Sequence, residues 1–360
     1  MQRLSIGLVV HDLHSHGGHS IYSKILADEF SRRHDVAVFA NRCERPPDAR
    51  WEYHHVRAWR GSALSTVHSF PLGLRRHAAR LGKCRIRHMQ GYCGGDPNVV
   101  TAHICVTAYL DSLRDVSPRH RLSLQSIAAA EESFYRRYHG HVIAISRKIA
   151  DELRELYGVS GPISVIPHGV DLARFNDVDR CFQRAELRSQ LGIEDDETMA
   201  LYAGDLTKSH SYLKELSTAA PRVKFVIVTP SRAYHWSSPN VQILPTTSEL
   251  HRYYAAADTF VFPTTYDSFG MVVLEAMASG LPVFSSDQAG AAELITSGKD
   301  GFVMPLNDWV GETAERLNNA MQLPEVGSAA KQSAAGHDWS NVVAAVEQIY
   351  FGVATREQNQ

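Results

Sequence analysis

The chain is poor in cysteine and has no long apolar run. These two absences argue against a disulfide-stabilised secreted protein and against a membrane-spanning protein. Its 360 residues include five cysteines, with no Cys-x-x-Cys pair. Scattered cysteines of odd number indicate reduced structural thiols rather than a disulfide framework. No apolar stretch approaches the length of a membrane span, and Met1–Ile6 is too short and too polar for a signal peptide. The expected location is therefore the cytosol.

The sequence also lacks internal repeats, long low-complexity stretches and a Gly-x-Gly-x-x-Gly fingerprint after its first strand-like segment, Leu4–Val10. The missing fingerprint argues against a dinucleotide-dependent oxidoreductase. Hydrophobic residues make up 44% of the chain and charged residues 21%, which suits a folded globular protein. The length is about twice that of a typical domain. We therefore expect two domains, each with its own core.

Charge is distributed unevenly between the two halves of the chain. Residues 1–170 contain 23 Lys and Arg against 15 Asp and Glu, whereas the remainder contains 14 against 24. The formal net charge of −2 therefore hides a basic first half and an acidic second half. The two halves are thus electrically different.

The basic residues concentrate in the segment 74–87, which we call the basic segment. Leu74, Ala78 and Leu81 would share one face of a helix beneath a cationic face. That pattern suits an anionic membrane surface, and a helix with a solvated basic face is an equal alternative because Gly82 interrupts the periodicity. The segment is short and has no interleaved aromatics, so no nucleic-acid partner is expected. The cationic residues are Arg75, Arg76, Arg80, Lys83, Arg85 and Arg87.

Strand-like and helix-like segments alternate along the chain, which is typical of doubly wound α/β domains with parallel sheets. One series opens at Leu4–Val10 and a second at Met199–Gly204. Ser146 is a good cap for a helix predicted at Arg147–Tyr157. Further strands are predicted at 36–39, 99–103, 142–145, 163–166, 224–228, 241–244, 259–263 and 282–284.

The most informative stretch follows the predicted strand at 259–263. It predicts a short polar loop and then an apolar helix that begins near Ser268 and ends at Gly280. Glu275 lies inside this helix, and a buried Glu needs a partner. Either ligand hydroxyls donate to it from a cleft, or a neighbouring backbone group or Arg satisfies it. The N–H groups of Phe269, Gly270 and Met271 would form an anion site at the helix N-terminus.

These residues carry a resemblance that extends over nearly the whole chain. The stretch from Asp267 to Pro282 resembles the signature of retaining GT-B glycosyltransferases of glycosyltransferase family 4. Three further segments occur in the order typical of that family. They are Gly17-Gly18, Val165-Ile166-Pro167-His168-Gly169-Val170-Asp171 with Phe175, and Tyr254-Ala255-Ala256-Ala257-Asp258.

The resemblance implies an α/β GT-B fold, in which two Rossmann-like doubly wound domains face each other across a cleft. Residues 1–168 would form the acceptor-side domain and 169–337 the donor-binding domain, with a C-terminal helix at 338–355 crossing back onto the first. Such proteins move a sugar from a nucleoside diphosphate sugar to an acceptor hydroxyl with retention of configuration. We expect a hexose-type sugar on UDP or GDP. The acceptor would be a glycan or lipid-linked molecule of the cell envelope, as in polysaccharide or lipopolysaccharide biosynthesis.

The resemblance also assigns roles to individual residues. Asp267, Lys208 and His103 would be catalytic, with Lys208 neutralising the leaving diphosphate and His103 contacting the acceptor. Glu275 would take the ribose of the donor. The donor-binding residues would be Gly17, Gly18, Gly204, Lys208, Ser268, Phe269, Gly270, Met271 and Glu275.

The chain departs from the family pattern at two positions. Asp205 stands directly after Gly204, where an Arg is common, so Lys208 is the sole cationic candidate in that loop. Asp267 replaces the more usual Glu with a shorter side chain but keeps the carboxylate. The first departure favours an alternative in which the protein binds a nucleotide sugar without turning it over.

No cofactor or metal is expected, and peripheral attachment to the inner face of the membrane is an option. His11, His14, His16 and His19 crowd one loop, but donor-phosphate or acceptor contact is a better interpretation than a metal site.

An epimerase acting on nucleotide sugars would share the fold and is a second alternative. A phosphorylase would need a cofactor lysine and a much longer chain.

Overall fold

The computed structural model describes residues 3–14, 17–114, 116–175, 180–231, 234, 236, 238–319 and 323–358. The chain divides into two compact units. The first unit comprises residues 1–168 and 339–360, and the second comprises residues 169–338. Of the residues considered above, His16 lies outside the described part of the chain.

The first unit is built on a parallel sheet that, within the described residues, has seven strands. Its spatial order is β5-β3-β1-β6-β7-β8-β9, and a separate pair of short strands, β2 and β4, lies beside it. The bounds are β1 Ser5–Val9, β2 Asp12–Leu13, β3 Asp35–Ala40, β4 Arg42–Cys43, β5 Glu52–His55, β6 Ile86–Gln90, β7 Val99–Ala102, β8 His141–Ala144 and β9 Ile163–Val165.

The helices of the first unit cover its sheet, and their buried faces form the core. The last of them returns to this unit and packs against the first helix, where the rings of Tyr350 and Phe30 lie 5.0 Å apart. The bounds are α1 Gly18–Phe30, α2 Ala63–Leu74, α3 Ala78–Leu81, α4 Val106–Ser112, α5 Pro118–Tyr135, α6 Arg147–Tyr157 and, at the chain end, α13 Trp339–Gln358.

The second unit contains a parallel sheet in the order β12-β11-β10-β13-β14-β15 over its described residues. The strands are β10 Met199–Ala203, β11 Lys224–Thr229, β12 Val241–Pro245, β13 Thr259–Phe262, β14 Val283–Ser286 and β15 Phe302–Met304. The helices are α7 Arg180–Leu191, α8 His210–Ala219, α9 Leu250–Ala256, α10 Met271–Ala278, α11 Leu306–Asn318 and α12 Leu323–Ala334.

Both sheets reverse their winding direction at one place. In the first sheet the chain moves outward from β1 to β3 and β5, then returns to the other side of β1 with β6. The second sheet does the same at β10 and β13. Loops after the carboxyl ends of two such strands diverge, and the crevice between them is where open α/β sheets bind ligands. The two predicted doubly wound domains are thus confirmed.

A buried ion pair anchors the second unit. The guanidinium of Arg188 is 1% exposed and lies 3.2 Å from Asp258 Oδ2, while Arg184 contacts Oδ1 of the same carboxylate at 2.6 Å. Asp258 Oδ2 also accepts the N–H of Met199 at 2.8 Å. These contacts fix α7 to the first residue of β10 and to the residue that precedes β13, the two strands at which the winding reverses.

The predicted helix over the basic segment is wrong. Residues 75–77 form a 3-10 turn after α2, α3 contains only four residues, and the chain enters β6 at Ile86. Arg85 donates to the carbonyl of Ala354 at 3.0 Å, and Arg87 donates to that of Asp96 at 2.8 Å. Gly82, which interrupts the helical periodicity, is the sequence signal that favours this arrangement, and four of the five residues of Ile86–Gln90 are buried in the sheet.

The remaining cations of the basic segment are exposed. Arg75, Arg76 and Lys83 lie at the surface, and Arg80 is held near His54 and Glu52 at 3.2 and 3.6 Å. Leu74 and Leu81 are buried as expected for the apolar side, but Ala78, the third residue of that predicted side, is exposed. The basic surface therefore exists, but it is carried by a turn and a short helix instead of one amphipathic helix.

A buried carboxylate joins three helices of the first unit. Glu131 of α5 is 4% exposed, and its Oε2 accepts the N–H of Val106 at 2.8 Å and the hydroxyl of Tyr157 at 2.7 Å. Burial raises the pKa of Glu131 from 4.5 to about 7, although both hydrogen bonds lower it. The start of α4 and the end of α6 thus depend on one titratable group.

The raised pKa of Glu131 predicts that this residue makes the protein less stable as the pH rises. Its pKa is higher in the folded than in the unfolded chain, so the folded state keeps a proton that the unfolded state loses between about pH 4.5 and 7. This group therefore makes the free energy of unfolding fall as pH rises through that window, by about 1 kcal/mol per pH unit. Glu131→Gln keeps the acceptor oxygen and should abolish that contribution.

Chemical denaturation at several pH values measures the effect. Relative to the wild type, Glu131→Gln should gain about 2 kcal/mol of stability between pH 5 and pH 7.5. Glu132→Gln, on the same helix and paired with Arg136 at the surface, is the matched control and should run parallel to the wild type. Parallel curves for wild type and Glu131→Gln would show that this carboxyl does not titrate in the window.

Candidate functional site

The strand-end cluster of the second unit consists of Asp205, Lys208 and Asp267. Asp205 and Lys208 follow β10, and Asp267 follows β13, so all three stand where the winding of the sheet reverses. Thr265 donates its N–H to the carbonyl of Lys208 at 3.1 Å, which ties the two loops together. The two loops that the strand order brings to the crevice thus contact each other directly.

Lys208 and Asp267 form an ion pair. The ammonium Nζ lies 3.9 Å from Asp267 Oδ2, and both side chains are about one quarter exposed. Asp267 Oδ1 accepts the N–H of Phe269 at 3.1 Å, and the backbone of Asp267 is held on both sides by Gln288 and Gly290. The carboxylate therefore has a fixed position from which it holds the cation.

Asp205 is held by its own loop. Its Oδ1 accepts the hydroxyl of Ser231 at 2.6 Å and the N–H of Thr207 at 3.0 Å. Burial raises the pKa of this carboxyl. The hydrogen bonds and the nearby Lys208 together lower the pKa by more than burial raises it, so the net shift is downward. Asp205 therefore stays ionised and structures the turn after Gly204, where the family pattern predicts an Arg.

Helix α10 begins three residues later than the sequence predicts. Gly270 is its N-cap residue with φ of 86°, a left-handed conformation that favours glycine. The first helical residue is Met271 rather than Ser268, and the N–H of Phe269 is taken by Asp267. The sequence predicts an anion site made of three N–H groups, and that of Phe269 already donates to Asp267. Met271 is the first residue of the helix, where a backbone N–H has no acceptor within the helix.

Glu275 has a partner that the sequence reasoning did not name. The hydroxyl of Tyr254 donates to its Oε2 at 2.9 Å and also lies 3.2 Å from the carbonyl of Val272. Burial raises the pKa of Glu275, whereas Tyr254 and the nearby Arg174 lower it. The side chain remains partly exposed, so the carboxylate keeps acceptor capacity for a ligand.

The glycine pair of the first unit lies at the start of a helix. Gly17 is the N-cap residue of α1 and Gly18 is its first residue. The carbonyl of Gly17 accepts the N–H of Ile21 at 3.0 Å. Both glycines follow β1, at the reversal point of the first sheet. Their backbone thus stands where a ligand of this unit would approach.

His103 belongs to a histidine cluster that also contains His19 and His168. Its ring lies 4.5 Å from that of His19 and 5.6 Å from that of His168. His103 Nε2 is 2.8 Å from Oε1 of Gln90, the last residue of β6, and Tyr22 packs edge-on against the His103 ring at 5.2 Å. Gln90, missed by the sequence reasoning, orients His103 from the neighbouring strand.

Burial keeps the histidine cluster neutral. It lowers the pKa of His19 to about 4 and that of His168 to about 3. The pKa of His103 lies well below 6.5, first because of burial and then because His19 and His168 repel a positive charge. At neutral pH these imidazoles can therefore exchange hydrogen bonds without adding charge.

The histidine-rich loop does not gather metal ligands within the described residues. His11 packs on Phe70 with ring centroids 4.6 Å apart, and His19 turns to the histidine cluster. Among the residues that the structure describes, no group of three or more His, Cys, Asp and Glu side chains is arranged to hold a metal ion.

The sequence contains one pattern typical of metal sites, Asp-x-Asp, at Asp177-Val178-Asp179. This segment lies outside the described residues. The expectation of metal-free chemistry therefore stays a prediction. Within the described part of the chain, no helix is both long and apolar enough to cross a membrane.

Two family models match the chain in succession. The model described as Glycosyltransferase Family 4 matches residues 16–174, and that described as Glycosyl transferases group 1 matches residues 198–322. Together they span most of the chain and both units. The second match contains the strand-end cluster, α10 and Tyr254.

The chain is similar to a D-inositol 3-phosphate glycosyltransferase from Streptomyces bingchenggensis, with 28% identity over 239 residues. That alignment covers 58% of this chain and 52% of the relative. The chain thus spans about half the length of the curated relatives that it matches.

Two solved structures show the same fold over nearly the whole chain. The first is WaaG, a glycosyltransferase involved in lipopolysaccharide biosynthesis, with a TM-score of 0.80, 17% identity, and coverage of 96% of this chain and 100% of the other. The second is HepE from Anabaena in complex with UDP-glucose, with a TM-score of 0.72, 16% identity, and coverage of 98% and 100%. From these matches and the two parallel-sheet units, the chain belongs to glycosyltransferase family 4 and has the GT-B fold.

Proposed function

We propose that the protein is a retaining glycosyltransferase that moves a hexose-type sugar from a nucleoside diphosphate sugar to an acceptor hydroxyl of a lipid-linked or cell-envelope glycan. One observation carries the proposal. Lys208 and Asp267 form an ion pair where the winding of the second sheet reverses, and the helix that follows Asp267 carries the half-buried residue Glu275. A cation for phosphate and a carboxylate for hydroxyls thus occur in one local segment.

Glu275 is suited to the ribose of the donor. Tyr254 occupies part of Oε2, yet an ionised carboxylate has about four acceptor positions. Two vicinal ribose hydroxyls supply two donors to such a group. Bringing those hydroxyls to the carboxylate also offsets the cost of its burial, which the raised pKa reports.

Lys208 is suited to the leaving diphosphate. Its ammonium stands beside Asp267 at a strand end, and a doubly charged phosphate would compete with the carboxylate of Asp267 for the cation. The open first turn of α10 adds N–H groups and the positive end of the helix dipole. The protein would thus stabilise charge on the phosphate as it departs.

The proposed chemical step needs no enzyme nucleophile. The bond between the sugar C1 and the phosphate oxygen breaks, and the acceptor oxygen forms a bond to C1 on the same face. The acceptor proton passes to an oxygen of the departing diphosphate. No metal takes part in the step, and the main contributions of the protein are orientation and electrostatic stabilisation.

The first unit would bind the acceptor. His103 is neutral at physiological pH, is oriented by Gln90, and follows β7 at the carboxyl edge of the sheet. A neutral imidazole can accept a hydrogen bond from an acceptor hydroxyl or donate one to it. This role places His103 beside the reacting hydroxyl as a contact rather than as a charged acid.

The known proteins that the chain resembles support this assignment. The curated relative is named for transfer to an inositol phosphate, WaaG is titled for lipopolysaccharide biosynthesis, and HepE was solved with UDP-glucose. A putative teichuronic acid glycosyltransferase of Bacillus subtilis is a further relative, 30% identical over 160 residues. HepE thus supports a nucleotide-sugar donor, and WaaG and the teichuronic acid relative support an acceptor of the cell envelope.

A non-catalytic nucleotide-sugar binder is the second candidate, because Asp205 adds a negative charge where the family pattern predicts an Arg. The two functions differ in turnover. A nucleotide-sugar epimerase is a third candidate, and it would release nucleotide without any acceptor. Nucleotide release measured with and without an acceptor separates all three.

The donor site is tested by a panel of nucleotide sugars with purified protein. Glu275→Gln keeps the size of the side chain but should lower affinity for the best donor at least tenfold, because an amide replaces a charged acceptor. Glu249→Gln, at an exposed position of the same unit, is the matched control and should bind like the wild type. Thermal stabilisation and titration measure binding, and unchanged affinity in Glu275→Gln would contradict the ribose assignment.

The role of Lys208 is tested by turnover with the donor found in that panel. Lys208→Ala should lower kcat about 100- to 1,000-fold with a small effect on KM, because the charge it meets is greatest as the phosphate departs. Lys224→Ala removes a cation that pairs with Glu197 at the start of β11 and should leave kcat unchanged. Equal kcat values in all three proteins would remove Lys208 from the mechanism.

The membrane contact proposed for the basic surface is tested with vesicles that contain about 30% anionic lipid. Arg75→Ala combined with Arg76→Ala should weaken binding tenfold or more, since each surface Arg contributes about 1 kcal/mol. Arg136→Ala combined with Arg154→Ala removes two other exposed cations of the same unit as a control. Similar losses in both double variants would indicate a general charge effect instead of a defined surface.

A further inference from the structure

An apolar groove of about 520 Å³ lies on the surface of the first unit. It runs between residues 57–59 and α2, and its lining includes Trp59, Leu64 and Leu72. A volume of this size is in the range that small-molecule sites occupy. The groove is formed by residues that the chemistry proposed above does not use.

The wall and the floor of the groove are fixed by hydrogen bonds and by close packing. Ser69 of α2 accepts the N–H of Trp59 at 2.8 Å, and Thr66 donates to the Trp59 carbonyl at 2.9 Å. A Cβ atom on Gly73 would collide with the carbonyl oxygen of Arg57, so only glycine lets the helix approach this closely. The groove is therefore built into the fold.

Large apolar side chains are exposed along the groove. Trp59 is 74% exposed and Leu72 is 59% exposed. Apolar side chains exposed as a pair beside a concave surface mark a binding site more often than scattered ones do. The ligand chemistry that would cover them is a hydrocarbon chain.

The groove has a cationic rim. Arg57 and Arg76 line it, His68 is the other ionisable lining residue, and no carboxylate is among the lining residues that the structure describes. Arg75 is exposed directly beside Arg76. An anionic group next to a hydrocarbon chain would find both a charge partner and an apolar wall, and Arg is well shaped to bind phosphate.

Contacts of α2 place the groove on the same edge of the sheet as the acceptor residues. Phe70 of α2 packs on His11, which follows β1. Pro71 packs so closely on Gly94, in the loop after β6, that a Cβ atom there would lie 2.5 Å from it. His103 follows β7, the next strand of the sheet.

We propose that this groove binds one alkyl or prenyl chain of a lipid phosphate, with the phosphate held at Arg57 and Arg76. The inference rests on the proposed function for its meaning, since it makes the acceptor a lipid phosphate. The binding itself does not depend on transfer. Its failure and the failure of the donor assignment are therefore separate results.

A series of monoalkyl phosphates with a terminal bromine provides the probes, each used below the concentration at which it forms micelles. Bromine quenches a tryptophan that it contacts, and Trp59→Phe identifies how much of the quenching belongs to Trp59. Affinity should rise about fourfold for each added methylene while the chain still enters the groove. The affinity should stop rising once the chain is longer than the groove. If the probes instead inserted into a micelle or bilayer, the affinity would keep rising with every added methylene.

Two variants and one control separate the chain from the phosphate. Leu72→Glu should weaken binding of the bromoalkyl phosphates at least tenfold. Arg57→Ala with Arg76→Ala should weaken the phosphates at least tenfold and leave the matching bromoalkyl alcohols unchanged. Leu156→Glu, at an exposed apolar position on α6, should bind like the wild type. Thermal stabilisation by the nucleotide sugar should be retained in every variant.

Three results would overturn the proposal. The first is an absence of Trp59 quenching up to the solubility limit of the probes. The second is unchanged affinity in Leu72→Glu, which would place the chain elsewhere. The third is full competition by inorganic phosphate with no dependence on chain length, which would describe an anion site without a chain. Loss of donor binding in a separate titration would instead count against the proposed function.

Discussion

Parallel pairing of the strands in both large sheets is the constraint on which the rest of the molecule depends. Because every described pairing in these sheets is parallel, all carboxyl ends meet at one edge of each sheet. The reversal of winding then separates the loops after two adjacent strands. Lys208 and Asp267 meet across one such reversal, while Gln90 and His103 meet across neighbouring strands of the other sheet. Residues far apart in the sequence become neighbours for this reason alone.

The local electrostatics of the two units differ in kind. In the second unit the ammonium of Lys208 pairs with Asp267 and also lowers the pKa of the nearby Asp205, so its charge is already shared before any ligand arrives. In the first unit burial keeps the histidine cluster uncharged. The strand-end cluster therefore offers a cation, whereas the histidine cluster offers hydrogen bonds without a charge.

Much of the fold could be predicted from the sequence, since strands with continuous apolar residues and the capped helix Arg147–Tyr157 appear where their patterns indicate. Local patterns failed where backbone conformation decided the outcome. Gly270 takes a left-handed conformation and delays α10, and the basic segment leaves its last helical turn at Gly82 and then enters β6. The pairing of Tyr254 with Glu275 bridges 21 residues, and periodicity within one helix carries no information on such a partner.

Gly73 has a consequence beyond the shape of one groove. Its missing side chain is what lets α2 lie against the backbone of Arg57, so the depth of that groove is set by a single absent methyl group. Phe70 and Pro71, on the same helix, pack on His11 and Gly94 at the sheet edge. A substitution at this one codon would therefore displace α2 from both the groove and the sheet edge, so the shape of the groove cannot diverge independently of the loops beside it.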